Sequence, residues 1–163
     1  MPTLDTDRLT LLPLTRDEAE RVVAGDRAGR RWSPGYPRDD DRDVARMYLG
    51  APPAEPWFGP LQIVRRDTAE VIGGIGFFGP PTAEGTVTMG YGVVPEAEGH
   101  GFTTEAVRAL IVYAEGTGRV QRILADTAHD NLASQRVLEK AGFRSVGSDD
   151  EVRRYAIEVT PLG

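Results

Sequence analysis

The feature that most limits what this chain can fold into is the run Val93-Val94-Pro95-Glu96-Ala97-Glu98-Gly99-His100-Gly101-Phe102-Thr103-Thr104-Glu105-Ala106. An apolar stretch ends at a proline, two glycines bracket a histidine, and helix-forming residues continue to Glu115. Glycine supplies the backbone freedom for a tight turn whose amides stay open. The helix behind it adds the positive end of its dipole at the same place. A strand, such a turn and a helix N-terminus make an anion site, with phosphate the usual guest. Taken alone, the stretch fits an ordinary strand-to-helix turn equally well.

Before this turn the pattern alternates between strands and helices. Asp7–Leu14 reads as a strand closed by Pro13, and Thr15 with Glu18 forms a capping box for a helix from Arg16 to about Ala24, stopped at Gly25. Arg30–Pro37 is a loop whose Trp32 and Tyr36 either contact a ligand or cover the edge of the core. Asp39–Asp43 opens a second helix running to Gly50, its carboxylates suiting a helix N-terminus rather than a metal. Leu61–Arg65, Glu70–Phe78 and Gly85–Val94 form a three-strand meander, and the glycines of the last strand indicate a bulge or a close backbone approach.

After the turn, Ala106, Val107, Leu110, Ile111 and Ala114 recur at helical spacing up to Gly116–Gly118. Arg122–Ala128 is a strand. Asp130 or Asn131 caps a helix with Leu132, Ala133, Val137, Leu138 and Ala141 as its apolar stripe, and Phe143–Val146 and Val152–Val159 close the sheet. The order implies an α+β fold, with a mixed, mostly antiparallel central sheet of about seven strands flanked by about four helices, in a single domain over residues 1–163.

Composition narrows the function. There is no cysteine and there are only two histidines, His100 and His129, which excludes thiolate metal sites and a cysteine nucleophile and leaves no multi-histidine metal centre. A net charge of −6 argues against broad nucleic-acid binding. No apolar run reaches membrane-span length and Met1–Asp5 is no signal peptide, so the expected setting is the cytoplasm, with neither membrane nor nucleic acid as partner.

Asn131-Leu132-Ala133-Ser134, with Gln135–Phe143 behind it, is the second informative stretch. Together with the turn at Glu98–Ala106 it resembles the GNAT superfamily of N-acetyltransferases, in particular the RimJ/RimL-type branch that acetylates ribosomal-protein N-termini. Thr6-Asp7-Arg8-Leu9-Thr10-Leu11, Ile72–Gly76 and Met89–Val93 are similar to that branch's other strands, so five segments recur in order between Thr6 and Phe143.

The resemblance implies acetyl-CoA as co-substrate, no metal, and direct attack by a primary amine, either a peptide N-terminus or a small molecule; it is compatible with a homodimer. It places the phosphates on Gly99, His100, Gly101, Thr103 and Thr104. Glu98 stands where the family usually has a basic or amide residue and Thr103 where a small one is usual, a pair of departures that bears on the strength of binding. The strand ending at Val94 should part from its neighbour, with a free amide there polarising the thioester. Asn131 would contact the pantetheine arm while capping its helix. Ser134 would sit near the sulfur and protonate the departing thiolate, as the catalytic residue. Thr88 replaces the glutamate often used as base. Asp126, His129, Asp150 and Glu151 lie where a base could come from, as does a water. A CoA-binding regulatory or interaction module with little catalysis is the alternative reading, and a structural subunit that binds no nucleotide is the third.

Overall fold

The first strand is the short Leu4–Asp5 (β1), which pairs antiparallel with Leu9–Pro13 (β2) in the register Leu4↔Leu11. It brings the count to eight against the seven expected, because a two-residue edge strand leaves no alternation to read. The computed structural model describes residues 3–160. Pro13 ends β2, and Thr15 Oγ1 accepts the Glu18 amide at 3.2 Å to start Arg16–Ala24 (α1). The capping box is only half made. The Glu18 carboxylate turns inward and accepts from Trp32 Nε1 and Gln62 Nε2, both at 2.9 Å. That contact decides the following loop. Trp32 and Tyr36 pack edge-to-face with centroids 5.5 Å apart, both buried, and Arg27 donates to the Trp32 and Ser33 carbonyls at 3.0 Å. The aromatics cover the core.

Asp39–Gly50 (α2) starts as the acidic run implied, with Asp41 Oδ2 accepting the Arg38 amide at 2.9 Å. Pro60–Arg65 (β3), Val71–Phe77 (β4) and Thr86–Val93 (β5) form the antiparallel meander. The register shifts between β3 and β4, where Ile63↔Gly73 is followed by Val64↔Val71 and Ile72 of β4 is the extra residue. The β4–β5 register is continuous, so the β5 glycines mark close approach rather than a bulge. Phe102–Thr117 (α3) buries Ala106, Val107, Leu110 and Ala114, leaves Ile111 half-buried, and ends at Gly118 in the left-handed conformation. Arg122–Ala128 (β6) runs parallel to β5, the one parallel pair among the described strands. Leu132–Lys140 (α4) follows, then Arg144–Ser148 (β7) and Val152–Glu158 (β8), in the sheet order β1-β2-β3-β4-β5-β6-β8-β7.

The α4 stripe differs from expectation. Leu132 is 59% exposed and Ala133 is exposed, while Gln135 is buried beside Leu138. Gln135 Nε2 donates to the Ala128 and His129 carbonyls at 3.2 and 3.1 Å, tying α4 to the end of β6, which is reason enough to bury an amide. Among the described residues no helix is long and apolar enough to cross a membrane.

Candidate active site

The turn between β5 and α3 is built as its glycines require. Gly99 and Gly101 take φ of 79° and 81°, and Gly101 is the residue before the helix. No side chain caps the helix start; Glu105 N–H closes the first turn on the Gly101 carbonyl at 3.1 Å, so the amides of Phe102, Thr103 and Thr104 remain as orphan donors of that turn. The turn is braced from the bend between β1 and β2. Arg8 donates from Nη1 to the His100 carbonyl at 2.8 Å and from Nε to Glu105 Oε1 at 2.7 Å, and Thr6 Oγ1 reaches Glu105 Oε2 at 2.5 Å. The Arg8 guanidinium also lies 4.4 Å above the Phe102 ring. Burial alone would raise the Glu105 carboxyl, but the bonds from Thr6 and Arg8 outweigh it and hold it below its ordinary value. Sequence reasoning named Thr6 and Arg8 as matching residues and missed this role. The available signal was an arginine two residues after a threonine, opposite a lone acid in the first turn of α3. Glu98 and His100 are exposed, and Thr103 and Thr104 half-buried. Glu96 faces away from the turn, its Oε1 accepting the Gly35 amide at 2.8 Å.

β5 and β6 part as expected. Their pairing runs from Thr86↔Arg122 to Thr88↔Leu124 and stops, whereas β5 stays paired with β4 as far as Gly73↔Val93. One expected detail is corrected. The Val94 amide is not free, because it donates to the Ile72 carbonyl at 2.8 Å. Phe78 N–H likewise donates to the Thr88 carbonyl, so the even-numbered residues of β5 bond to β4. Antiparallel alternation then turns the amides of Tyr91 and Val93 toward the side that β6 has left.

Across that gap stands α4. Asn131 Oδ1 accepts the Ser134 amide at 3.1 Å, which uses its oxygen as a cap and leaves its NH₂ group to donate. Ser134 Oγ lies 2.8 Å from the Tyr91 hydroxyl, which is also 3.2 Å from the Ser134 carbonyl. Burial pushes the Tyr91 hydroxyl up to about 12, against a smaller downward effect of the Ser134 bond. Tyr91 is the residue that sequence reasoning left out of the site, although two flanking glycines and a facing Asn-x-x-Ser helix were there to be read.

Two of the residues considered as bases have partners of their own. His129 Nε2 bonds the Asp149 carbonyl at 2.6 Å, and Asp126 pairs with Arg154 at 3.4 Å on the exposed side of β6. Asp150 and Glu151 are exposed in the β7–β8 turn, whose geometry is set by Asp149 Oδ1 accepting the Glu151 and Val152 amides, both at 2.8 Å.

On the face of β4 and β5 toward α2 lies a cavity of about 830 Å³ that reaches Tyr91. Its floor has almost no side chains, because Gly74 pairs with Gly92 and Gly76 with Gly90 across the two strands. A Cβ on Gly92 would stand 2.5 Å from Arg38 Nη1, and one on Gly76 would collide with the Gly59 carbonyl. Arg38 is fixed over the floor by Asp41, through Nε to Oδ2 at 3.0 Å and Nη2 to Oδ1 at 2.8 Å. The parted strands therefore separate a turn able to hold an anion on the α3–α4 side from a roomy cavity on the α2 side.

Residues 8–144 match the model of the acetyltransferase (GNAT) domain. An uncharacterized N-acetyltransferase of Bacillus subtilis, YoaA, is 31% identical over 150 residues, covering 90% of this chain and 85% of the relative. Another from the same organism, YjdG, is 41% identical over 81 residues, which span 50% of this chain and only 48% of the relative. Among solved structures, RimL, a ribosomal L7/L12 α-N-protein acetyltransferase in complex with coenzyme A, superposes with a TM-score of 0.71 at 16% identity, over 97% of this chain and 98% of that one. An acetyltransferase from Agrobacterium tumefaciens gives a TM-score of 0.66 at 27% identity, over 96% and 94%. The chain belongs to the GNAT acetyltransferase family, and N-acetyl transfer is the activity that membership carries.

Proposed function

We propose that the protein moves the acetyl group of acetyl-CoA directly to a primary amine, a peptide N-terminus or a small molecule, in the gap between β5 and β6. The observation carrying this reading is the Tyr91–Ser134 hydroxyl pair standing across strands that separate after Thr88↔Leu124. The phosphates would take the open amides at Gly101–Thr104, with the hydroxyls of Thr103 and Thr104 as further donors and Gly99 and His100 shaping the turn. The pantetheine arm would run along the freed edge of β5, contacted by the Asn131 amide. The amide of Tyr91 or Val93 would take over the oxyanion role that the family resemblance implied for Val94.

The amine attacks the thioester carbon, a C–N bond forms and the C–S bond breaks. An α-amino group of pKa ~8 is partly neutral at physiological pH, whereas an alkylamine of pKa ~10 is neutral only to about one part in a thousand. In both cases the proton can leave to water before attack, and the alkylamine gains more from a rise in pH. The one Tyr91 proton has two acceptors in reach, Ser134 Oγ at 2.8 Å and the Ser134 carbonyl at 3.2 Å, and when it goes to Oγ the Ser134 proton is free to bond the departing sulfur. A thiolate of pKa ~8.5 cannot take a proton outright from a phenol at about 12. The pair therefore stabilises the thiolate by hydrogen bonding, and the thiol proton comes from solvent. Acetyl-CoA should raise the melting temperature, and CoA should be released only when an amine is supplied. Stabilisation without release across a broad amine panel would instead favour a CoA-binding module.

A further inference from the structure

We propose that the glycine-floored cavity selects small primary amines built on a bulky apolar frame. This rests on the acetyltransferase reading, because the cavity meets the proposed thioester position only at Tyr91. The volume, about 830 Å³, is several times what a benzene-sized guest needs, about 150 Å³, and falls in the range of sites that enclose a whole small molecule.

The lining is apolar along its length, with Leu61, Phe58 and Phe77 inside and Val44, Met47 and Phe78 at the mouth. The last three are 37%, 62% and 63% exposed, an apolar rim that a polar ligand would not reward. Polar side chains are a minority of the lining, and most of them already have partners. Gln62 spends its NH₂ on Glu18 and Tyr36, and Arg38 is held by Asp41. A peptide threaded here would bury amides with almost no partners, which the cost of unmade hydrogen bonds disfavours. A small amine brings one polar group, and that group is carried to the thioester. Asp40, Asp41 and Asp43 line this cavity against Arg38 as the one basic lining residue. Although Asp43 pairs with Arg46 at 3.0 Å and Asp40 lies 4.0 Å from Arg38, the excess of carboxylates at the rim favours an ammonium ion.

The test is acetyl transfer to ethylamine, hexylamine and phenethylamine, and to peptides beginning with serine or phenylalanine, read as released CoA with a thiol reagent. The chain has no cysteine of its own to react. Expressed per neutral amine, the kcat/KM for phenethylamine should exceed that for ethylamine at least about tenfold and exceed both peptides. Met47→Glu, and independently the space-filling Val44→Trp, should shrink that ratio by about fivefold or more, while stabilisation by acetyl-CoA persists. Equal rates along the amine series, or a peptide preferred over every small amine, would overturn the cavity assignment and leave the transferase intact. No CoA release with any acceptor, together with no stabilisation by acetyl-CoA, would overturn both.

Discussion

The Tyr91 hydroxyl on β5 and Ser134 Oγ on α4 lie 2.8 Å apart across strands that no longer pair. Nothing in a mixed sheet requires that bridge. β5 and β6 are hydrogen-bonded neighbours only as far as Thr88↔Leu124, and beyond that point β5 is bridged to α4 instead, through two hydroxyls. A cofactor arm lying in the gap would meet both. The same two side chains thus link the architecture of the split to the chemistry proposed inside it.

Removing either hydroxyl should slow turnover without loosening the cofactor. Tyr91→Phe and Ser134→Ala are each expected to lower kcat about tenfold while KM for acetyl-CoA stays within about twofold. The double variant should be little worse than either single one, since the two act as a unit. Additive losses would mean that the hydroxyls act separately. Because Tyr91 is pushed up to about 12, it does not titrate near neutrality, so the rise of rate with pH should follow the acceptor amine and persist in Tyr91→Phe.

The phosphate turn is tested at Gly101. Its φ of 81° is a region that β-branched residues essentially avoid, and a Cβ there would approach Arg8 Nη2 to 3.3 Å. Gly101→Val should tilt the first turn of α3 and weaken acetyl-CoA binding about tenfold or more in calorimetry. An unchanged affinity would mean that the phosphates bind elsewhere.

Much of this was legible from residues whose type has a single physical use. Gly25 and Gly118 end helices, Thr15 begins one, and the Gly99–Gly101 turn announced its own geometry. What escaped depends on partners distant in sequence. Glu18 looked like a capping residue and instead serves Trp32 and Gln62, 14 and 44 residues away. Leu132 completed an apolar stripe on paper, yet the buried position went to Gln135, because two carbonyls at the end of β6 needed a donor. Val94 fell on the wrong side of the strand alternation by one residue, a difference that only the register with β4 decides. The cavity was invisible for a related reason: four glycines in two strands mean little until Gly74↔Gly92 and Gly76↔Gly90 are known to be neighbours.

Close approach at these glycines makes a stability prediction. A Cβ on Gly73 would run into the Gly92 carbonyl and stand 2.8 Å from Val93 Cα, both backbone and unable to yield cheaply. Gly73→Ala should cost about 1–3 kcal/mol in urea unfolding. Gly147→Ala, where nothing lies within 4 Å, should stay within about 0.5 kcal/mol of the parent. Equal effects at the two positions would remove the packing account of the sheet's glycines.

The brace between the β1–β2 bend and α3 should leave an acid signature. Glu105 is held below its ordinary 4.5 by Thr6 and Arg8 against the upward push of burial, so its native carboxylate is favoured over the unfolded one. A depressed carboxyl contributes stability that is fully present above the unfolded pKa and disappears as pH falls through the folded one. Glu105→Gln keeps the shape and removes the charge-assisted bonds, for a loss of about 1.5–3 kcal/mol at pH 7. The gap in melting temperature between parent and variant should therefore be widest near neutrality and close progressively below about pH 4.5. Arg8 also holds the His100 carbonyl, so the same variant should release one anchor of the phosphate turn and weaken acetyl-CoA binding in parallel. A gap that stayed constant down to pH 3, or a loss of stability with no loss of affinity, would separate Glu105 from the turn it is argued to hold.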